Sequence, residues 1–109
     1  MTIEPRSGAW TQDAAFTASQ TAISIRTPTT GKKHLYLGIT ITITGSGSLV
    51  IYDGTNTATT RLYSGTPPVG AVIPIHFTTP IPSSAINTSV LYTTGTGAIG
   101  NLNLWGYEA

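Results

Sequence analysis

Hydrophobic and polar residues alternate one by one along the middle of the chain. From His34 to Thr44 the odd-numbered positions 35, 37, 39, 41 and 43 are all leucine or isoleucine, and threonine stands at 40, 42 and 44. Because successive side chains of a strand point to opposite faces, this period of two predicts a β-strand with one buried face. On this pattern Leu35 and Leu37 face the core, whereas His34 and Tyr36 face away from it.

The same alternation, interrupted by turn residues, predicts seven further strands. The turn residues include Gly31 and the pair Asp53-Gly54, which is a strong hairpin signal. The eight predicted strands cover residues 10–17, 21–26, 34–44, 49–52, 59–63, 71–78, 86–93 and 98–107. Pro74 lies inside one of them, and since proline cannot donate to a central ladder it predicts an edge strand or a bulge.

The number and spacing of these strands indicate the fold class. Eight short strands with turns about every ten residues are typical of an antiparallel sandwich or barrel, and eight is also the strand count of a jelly roll. We therefore expect an all-β, jelly-roll-like sandwich that forms a single domain over residues 10–109. Residues 1–9 show no alternation and are expected to form a short N-terminal arm.

The composition is poor in charge and lacks cysteine. Charged residues make up 8% of the 109 residues and the formal net charge is +1, whereas about 25% of an average domain is charged. The absence of cysteine excludes disulfides, thiol nucleophiles and cysteine-bound metals. A chain of this mass can bury about 65% of its unfolded surface, which suffices for a modest core without cross-links.

The sequence gives little indication of an electrostatic partner. Lys32 and Lys33, followed by His34, are the only basic cluster, so no nucleic-acid partner is expected. No apolar run approaches the roughly 20 residues of a membrane span, so no membrane association is expected. The first residues lack the basic and apolar regions of a signal peptide, which predicts synthesis in a cytoplasm.

Residue types that carry hydrolytic or metal chemistry are scarce. A catalytic triad would have to draw on His34, His76, Asp13 and Asp53, which are scattered along the chain. Asp53 precedes Gly54 and is expected to cap a local turn. Four dispersed acids supply neither the paired carboxylates of a glycosidase nor a calcium site. We expect no catalysis, no cofactor and no metal.

Residues 95–100 (GTGAIG) match the dinucleotide-binding pattern of glycines. That fingerprint requires a helix to begin there, so that its N-terminus can hold the pyrophosphate. Residues 101–105 (NLNLW) instead alternate like a strand. The glycines are therefore expected to form a hairpin loop.

Aromatic residues with polar groups are numerous for such a small domain. A chain with so few charges also has weak protection against association, and tryptophan and tyrosine are favoured at interfaces. Together these features favour a subunit that buries much of its surface against neighbours. The residues concerned are Trp10, Tyr36, Tyr52, Tyr63, Tyr92, Trp105 and Tyr107.

Several segments resemble small β-sandwich structural proteins of tailed bacteriophages. They are residues 31–37 (GKKHLYL), 49–55 (LVIYDGT), 75–81 (IHFTTPI), 89–92 (SVLY) and 101–108 (NLNLWGYE). The resemblance extends over about residues 20 to 108. The phage proteins that the chain resembles are of the capsid decoration, cement or head-fibre type. It implies a jelly-roll subunit, commonly a homotrimer, that sits on the lattice of the major capsid protein at the surface of the virion. A tail or baseplate component would have the same sequence features.

The resemblance supplies no catalytic residues. If it holds, we expect Ile3, Arg6 and Trp10, in and next to the N-terminal arm, to contact the capsid or neighbouring subunits. The mechanism implied is mechanical, since many copies that each bury a modest area reinforce the shell.

A second class of function remains open, namely a carbohydrate-binding or receptor-binding module of a phage fibre, tail or baseplate. Asn101, Asn103 and Trp105 are two residues apart, so on a strand they point to the same side. An aromatic ring beside amides can stack on a sugar and bind its hydroxyl groups. Alternatively, Trp105 packs in the core, and Leu102 and Leu104 face a partner or the second sheet.

Overall fold

The computed structural model describes residues 8–109, and all regular structure in this range is β-strand. The eight strands confirm the predicted all-β class. They are β1 (Trp10–Phe16), β2 (Ile23–Arg26), β3 (His34–Gly45), β4 (Leu49–Asp53), β5 (Arg61–Gly65), β6 (Val72–Pro82), β7 (Val90–Thr94) and β8 (Ile99–Glu108). The pairing of the chain with β8 extends to Gly8, whose carbonyl accepts a hydrogen bond from the Glu108 N–H. Residues 1–7, which make up most of the predicted arm, lie outside the described range.

The strands form two four-stranded antiparallel sheets. The first sheet has the order β1-β8-β3-β6 and the second sheet has the order β2-β7-β4-β5. Strand β1 pairs with β8, β2 with β7, β3 with β6 and β4 with β5, so the chain behaves as one long hairpin rolled into a sandwich. This is the arrangement of a jelly roll, which the sequence suggested by strand count alone.

The core lies between the two sheets and is built from alternate residues of each strand. Ile39, Ile41, Leu49, Ile51 and Leu104 are each fully buried. Burying one such side chain contributes roughly 1.5–3 kcal/mol relative to leaving it exposed. The alternation therefore fixes which face of each strand is turned inward, as expected from the period of two.

The predicted alternation of β3 is wrong at its beginning. A β-bulge shifts the register between Tyr36 and Gly38, and the extra residue moves the preceding side chains to the opposite face. As a result His34 and Tyr36 are fully buried, whereas Leu35 and Leu37 are only half-buried. Polar groups thus enter the core at this end of the sandwich.

The strand bounds and connections also differ from the sequence prediction in other places. Strand β6 lies at the edge of the first sheet, as Pro74 predicted. Because an edge strand tolerates proline, β6 continues to Pro82 instead of ending at residue 78. Strand β7 begins at Val90 and not at residue 86. Residues 95–98 connect β7 of the second sheet to β8 of the first sheet, so the glycine-rich segment is a crossing between sheets and not a hairpin loop.

Removing a single methyl group from the inner face of β3 tests this assignment. Ile41→Val is expected to lower the free energy of unfolding by about 0.5–1.5 kcal/mol, because Ile41 is fully buried. Thr42→Ser removes a methyl group from the adjacent, exposed residue and is expected to change it by less than about 0.5 kcal/mol. Urea denaturation measures both values, and equal losses would contradict the assignment of the faces.

Candidate functional site

The outer face of the first sheet carries aligned rows of residues, with polar side chains concentrated on the central strands β8 and β3. Its strands are in register, so that residues from four strands lie side by side in each row. The inward neighbours Leu102 and Leu104 are buried, which turns the intervening residues of β8 outward. In the strand order β1-β8-β3-β6, the first row consists of Ala15, Asn101, Thr42 and Val72. The second row consists of Asp13, Asn103, Thr40 and Pro74, and the third row of Thr11, Trp105, Gly38 and His76.

The first two rows surround a shallow depression of about 360 Å³. Its side chains offer hydroxyl, amide and carboxylate groups from three adjacent strands. The polar side chains that line it are those of Asp13, Thr40, Thr42, Asn101 and Asn103. We call these five residues and Trp105 the polar face.

Hydrogen bonds orient the centre of the polar face. The Asn103 amide nitrogen donates to Asp13 Oδ1 at 2.5 Å and to Thr11 Oγ1 at 3.1 Å. Both protons of this amide are therefore used within the sheet, and its carbonyl oxygen remains as an acceptor. Asp13 keeps its second carboxylate oxygen as an acceptor next to it. The arrangement presents two neighbouring acceptors at the edge of the depression.

Trp105 is held in place at one end of the polar face. Its ring lies against His76 of β6, with the ring centroids 5.5 Å apart. Gly38 on β3 makes room for it, since a Cβ atom at this position would collide with the indole. A glycine inside a strand often marks such a close approach, so Gly38 was the sequence signal that could have indicated this packing.

The structure brings Asn101, Asn103 and Trp105 together as the period of two predicted. All three lie on the outer side of β8, and the alternative that Trp105 packs in the core is wrong. Leu102 and Leu104 face the second sheet. Sequence reasoning did not include Asp13 or Thr40, which reach this face from other strands.

The residues proposed for capsid contact are only partly described. Ile3 and Arg6 lie outside the described residues. Trp10 is the first residue of β1, and its ring is half-buried against Arg26, whose guanidinium carbon lies 4.7 Å from the ring centroid. The ring also contacts His34, with the centroids 5.0 Å apart. Much of the Trp10 side chain is thus engaged within the sandwich, and its contact with a partner stays a prediction.

A buried chain of polar side chains lies beneath Trp10. Arg26 of β2 forms an ion pair of 2.7 Å with Glu108 of β8 and contacts His34 Nε2 at 2.9 Å. Because arginine can only donate, Nε2 must accept, and the remaining proton of His34 is on Nδ1. His34 Nδ1 then donates to the Tyr36 hydroxyl at 3.2 Å, and this hydroxyl donates to Asp53 Oδ1 at 2.6 Å.

The expectation that Asp53 caps a local turn is wrong. Its carboxylate accepts hydrogen bonds from the hydroxyl of Ser83 at 2.7 Å and from the backbone N–H of Ser84 at 2.9 Å, about 30 residues away in sequence. Asp53 is buried, and it connects the end of β4 to the loop after β6. We call Arg26, Glu108, His34, Tyr36, Asp53 and Ser83 the polar cluster.

Burial sets the protonation of the polar cluster. Burial, assisted by the charge of Arg26, lowers the pKa of His34 from 6.5 to about 4, and burial together with the Asp53 hydrogen bond raises the pKa of Tyr36. Burial alone would raise the pKa of Glu108, but hydrogen bonds from Thr29 and Arg26 outweigh it and lower the value from 4.5 to about 2. At neutral pH, His34 is therefore neutral and Glu108 is ionised.

The polar cluster does not have the order of a catalytic triad. Such a triad places a histidine between the nucleophile and the acid. Here Ser83 donates directly to Asp53, and the Tyr36 hydroxyl separates Asp53 from His34. The contacts of these residues connect the two sheets, which is a structural use of polar groups.

Comparisons with known proteins do not extend this description. No protein-family model, no curated protein and no solved structure matches this chain. Within residues 8–109, no group of three or more histidine, aspartate or glutamate side chains could hold a metal ion. The same range contains no helix that is long and apolar enough to cross a membrane. What defines the chain is its class, an all-β jelly-roll sandwich with a polar outer face.

Proposed function

We propose that this protein is a non-enzymatic structural subunit that decorates the shell of a tailed bacteriophage. The resemblance of its strand and turn segments to decoration and head-fibre proteins supports the proposal. The jelly roll supports it more generally, because this fold is frequent among viral capsid proteins. The ligand would be the lattice of the major capsid protein, and the subunit would act as a homotrimer.

The observation that carries the proposal is the balance of charge and apolar area on the described surface. Of the charged residues between 8 and 109, Asp53 and Glu108 are buried and Arg26 is paired. The charged side chains that remain are those of Asp13, Lys32, Lys33 and Arg61. By contrast, six large aliphatic side chains are between 37% and 64% exposed, namely Ile23, Val69, Val72, Ile81, Ile86 and Ile99.

Such a surface fits a protein that is covered by neighbours. Monomeric soluble proteins usually rely on mixed surface charge to prevent association. A stable interface of standard size buries about 1,600 Å² summed over the two partners, or roughly 800 Å² on each of them. Repeated over many lattice positions, modest contacts of this kind would reinforce a shell against internal pressure.

Reconstitution on empty shells tests this proposal. Purified protein is mixed with shells of the major capsid protein that lack it, at 0.05 M and at 1 M NaCl, and the pelleted fraction is quantified. We expect saturable binding that differs little between the two salt concentrations, because few charges are available to be screened. The unbound protein should behave as a species of three 11.4 kDa chains in light scattering. Failure to sediment with the shells at either salt concentration would contradict the proposal.

A further inference from the structure

We propose that the polar face of the first sheet binds a neutral oligosaccharide or polysaccharide. The site consists of Trp105 as a stacking surface and of Asp13, Asn101 and Asn103 as hydrogen-bonding groups. This inference goes beyond the proposed decoration function and does not depend on it. A shell subunit with such a site could hold particles on a glycan-covered surface.

The arrangement of acceptors on the polar face matches sugar hydroxyl groups. Asn103 and Asp13 are directly opposite each other on adjacent strands, so their side chains are about 5 Å apart at Cβ. The internal hydrogen bond leaves an acceptor on each of them. Hydroxyl groups on neighbouring carbons of a sugar ring can donate to two such acceptors, and a bond to a carboxylate is the stronger kind.

Asn101 and the two threonines extend the site along the sheet. Asn101 is exposed at the depression, where its side-chain amide can donate and accept hydrogen bonds. The hydroxyls of Thr40 and Thr42 border the same depression. Groups that can both donate and accept are suited to hydroxyl ligands, whose own roles are interchangeable.

Trp105 provides an aromatic surface at the correct distance. It lies two residues from Asn103 along β8, a spacing of about 7 Å. A sugar ring stacked on the indole would thus place the next sugar of the oligosaccharide over the acceptors of Asn103 and Asp13. Contacts with His76 and Gly38 fix the indole in position, which reduces the entropy lost when a ligand binds.

The charge of the polar face favours a neutral glycan over other occupants. Asp13 is its one charged side chain, and no lysine or arginine of the described residues lies on the first sheet. A dry protein interface would remove water from this carboxylate, and the first sheet has no cation of its own to compensate for that cost. An anionic polysaccharide would be repelled by it. Neutral sugar hydroxyls instead replace the lost water with hydrogen bonds.

The test is a titration of isotope-labelled protein with a panel of oligosaccharides, followed by NMR. The panel contains neutral glucose, mannose and galactose oligomers of three to six units, and anionic uronic acid oligomers for comparison. We expect saturable shifts in residues of the polar face with at least one neutral oligomer. Asn101→Ala is expected to weaken binding about 3- to 10-fold with an unchanged spectrum elsewhere, and Trp105→Ala to weaken it by about tenfold or more.

Ser64→Ala, on the outer face of the second sheet, is the matched control and should leave the affinity unchanged. The absence of shifts with every neutral oligomer would overturn the proposal. So would binding of uronic acid oligomers alone, or unchanged affinity in Asn101→Ala. Shifts on this face that depend on protein concentration without sugar would indicate a second copy as the occupant instead. None of these results would bear on binding to capsid shells, so the two proposals fail separately.

Discussion

Replacing Asp53 with alanine is expected to lower the free energy of unfolding by about 2–4 kcal/mol. The Asp53 carboxylate accepts hydrogen bonds from the hydroxyl groups of Tyr36, Ser83 and Ser84. It also accepts one from the backbone N–H of Ser84. Tyr36 is fully buried, and its hydroxyl would lose the acceptor to which it donates in the folded protein. A buried donor left in this way costs more than the hydrogen bond itself contributes. Urea denaturation at pH 7 measures the effect.

Two variants separate this effect from a general loss of charge. Asp53→Asn keeps one carbonyl oxygen and is expected to lose less stability than Asp53→Ala. Asp13→Ala removes an exposed carboxylate, and it should change the free energy of unfolding by less than about 0.5 kcal/mol. If Asp53→Ala were as mild as Asp13→Ala, the polar cluster could not be holding the loop after β6 in place.

Acid is expected to destabilise the fold in two stages. The folded protein protonates His34 near pH 4, whereas the unfolded chain does so near 6.5. Between these values the unfolded state binds more protons, so the free energy of unfolding falls as the pH falls. The loss at His34 amounts to on the order of 3 kcal/mol. Glu108, with a pKa of about 2 in the fold and 4.5 outside it, extends the loss below pH 4.5.

The acid effect is measured by urea denaturation at pH 7, 6.5, 5.5 and 4.5. His34→Gln retains an acceptor for Arg26 but cannot titrate. The loss of unfolding free energy between pH 6.5 and 4.5 should therefore largely disappear in this variant, whatever the stability of the variant at pH 7. Glu108→Gln should retain the loss between pH 6.5 and 4.5. A wild-type stability that does not change between pH 7 and 4.5 would contradict the burial of a neutral His34 beside Arg26.

The polar cluster is a cross-connection between the two sheets. Arg26 belongs to the second sheet and Glu108 to the first, and their ion pair joins β2 to β8. Tyr36 and Asp53 make a second connection, from β3 to β4. Both lie at the same end of the sandwich, where His34 contacts both Arg26 and Tyr36. This end therefore depends on polar contacts, whereas the middle depends on packed aliphatic side chains.

Local pattern was sufficient to predict the strands, because alternation and turn residues are properties of neighbouring positions. All eight strands were predicted, and the inward face of Ile39, Ile41 and Ile43 was assigned correctly. The bulge at Leu37 was missed because leucine at 35 and 37 continues the apolar pattern without interruption. What reverses the pattern is the pairing of β3 with β6 and β8, which sequence alone does not reveal.

The same limit applies to the candidate site. Asn101, Asn103 and Trp105 could be grouped from sequence, since they lie on one strand. Asp13 is 90 residues from Asn103, and the two meet only because β1 pairs with β8. Asp53 and Ser83 are likewise joined by the fold and not by sequence proximity. Contacts between distant segments require the strand order, which the turns do not determine.

The number of copies per virus particle tests the proposed function most directly. Quantitative mass spectrometry of purified particles from the source of this chain would compare it with the major capsid protein. A capsid decoration role predicts hundreds of copies, in a fixed ratio to the capsid lattice. A dozen copies or fewer would contradict decoration and indicate a tail, fibre or receptor-binding role, and absence from the particles would contradict any role in the virion.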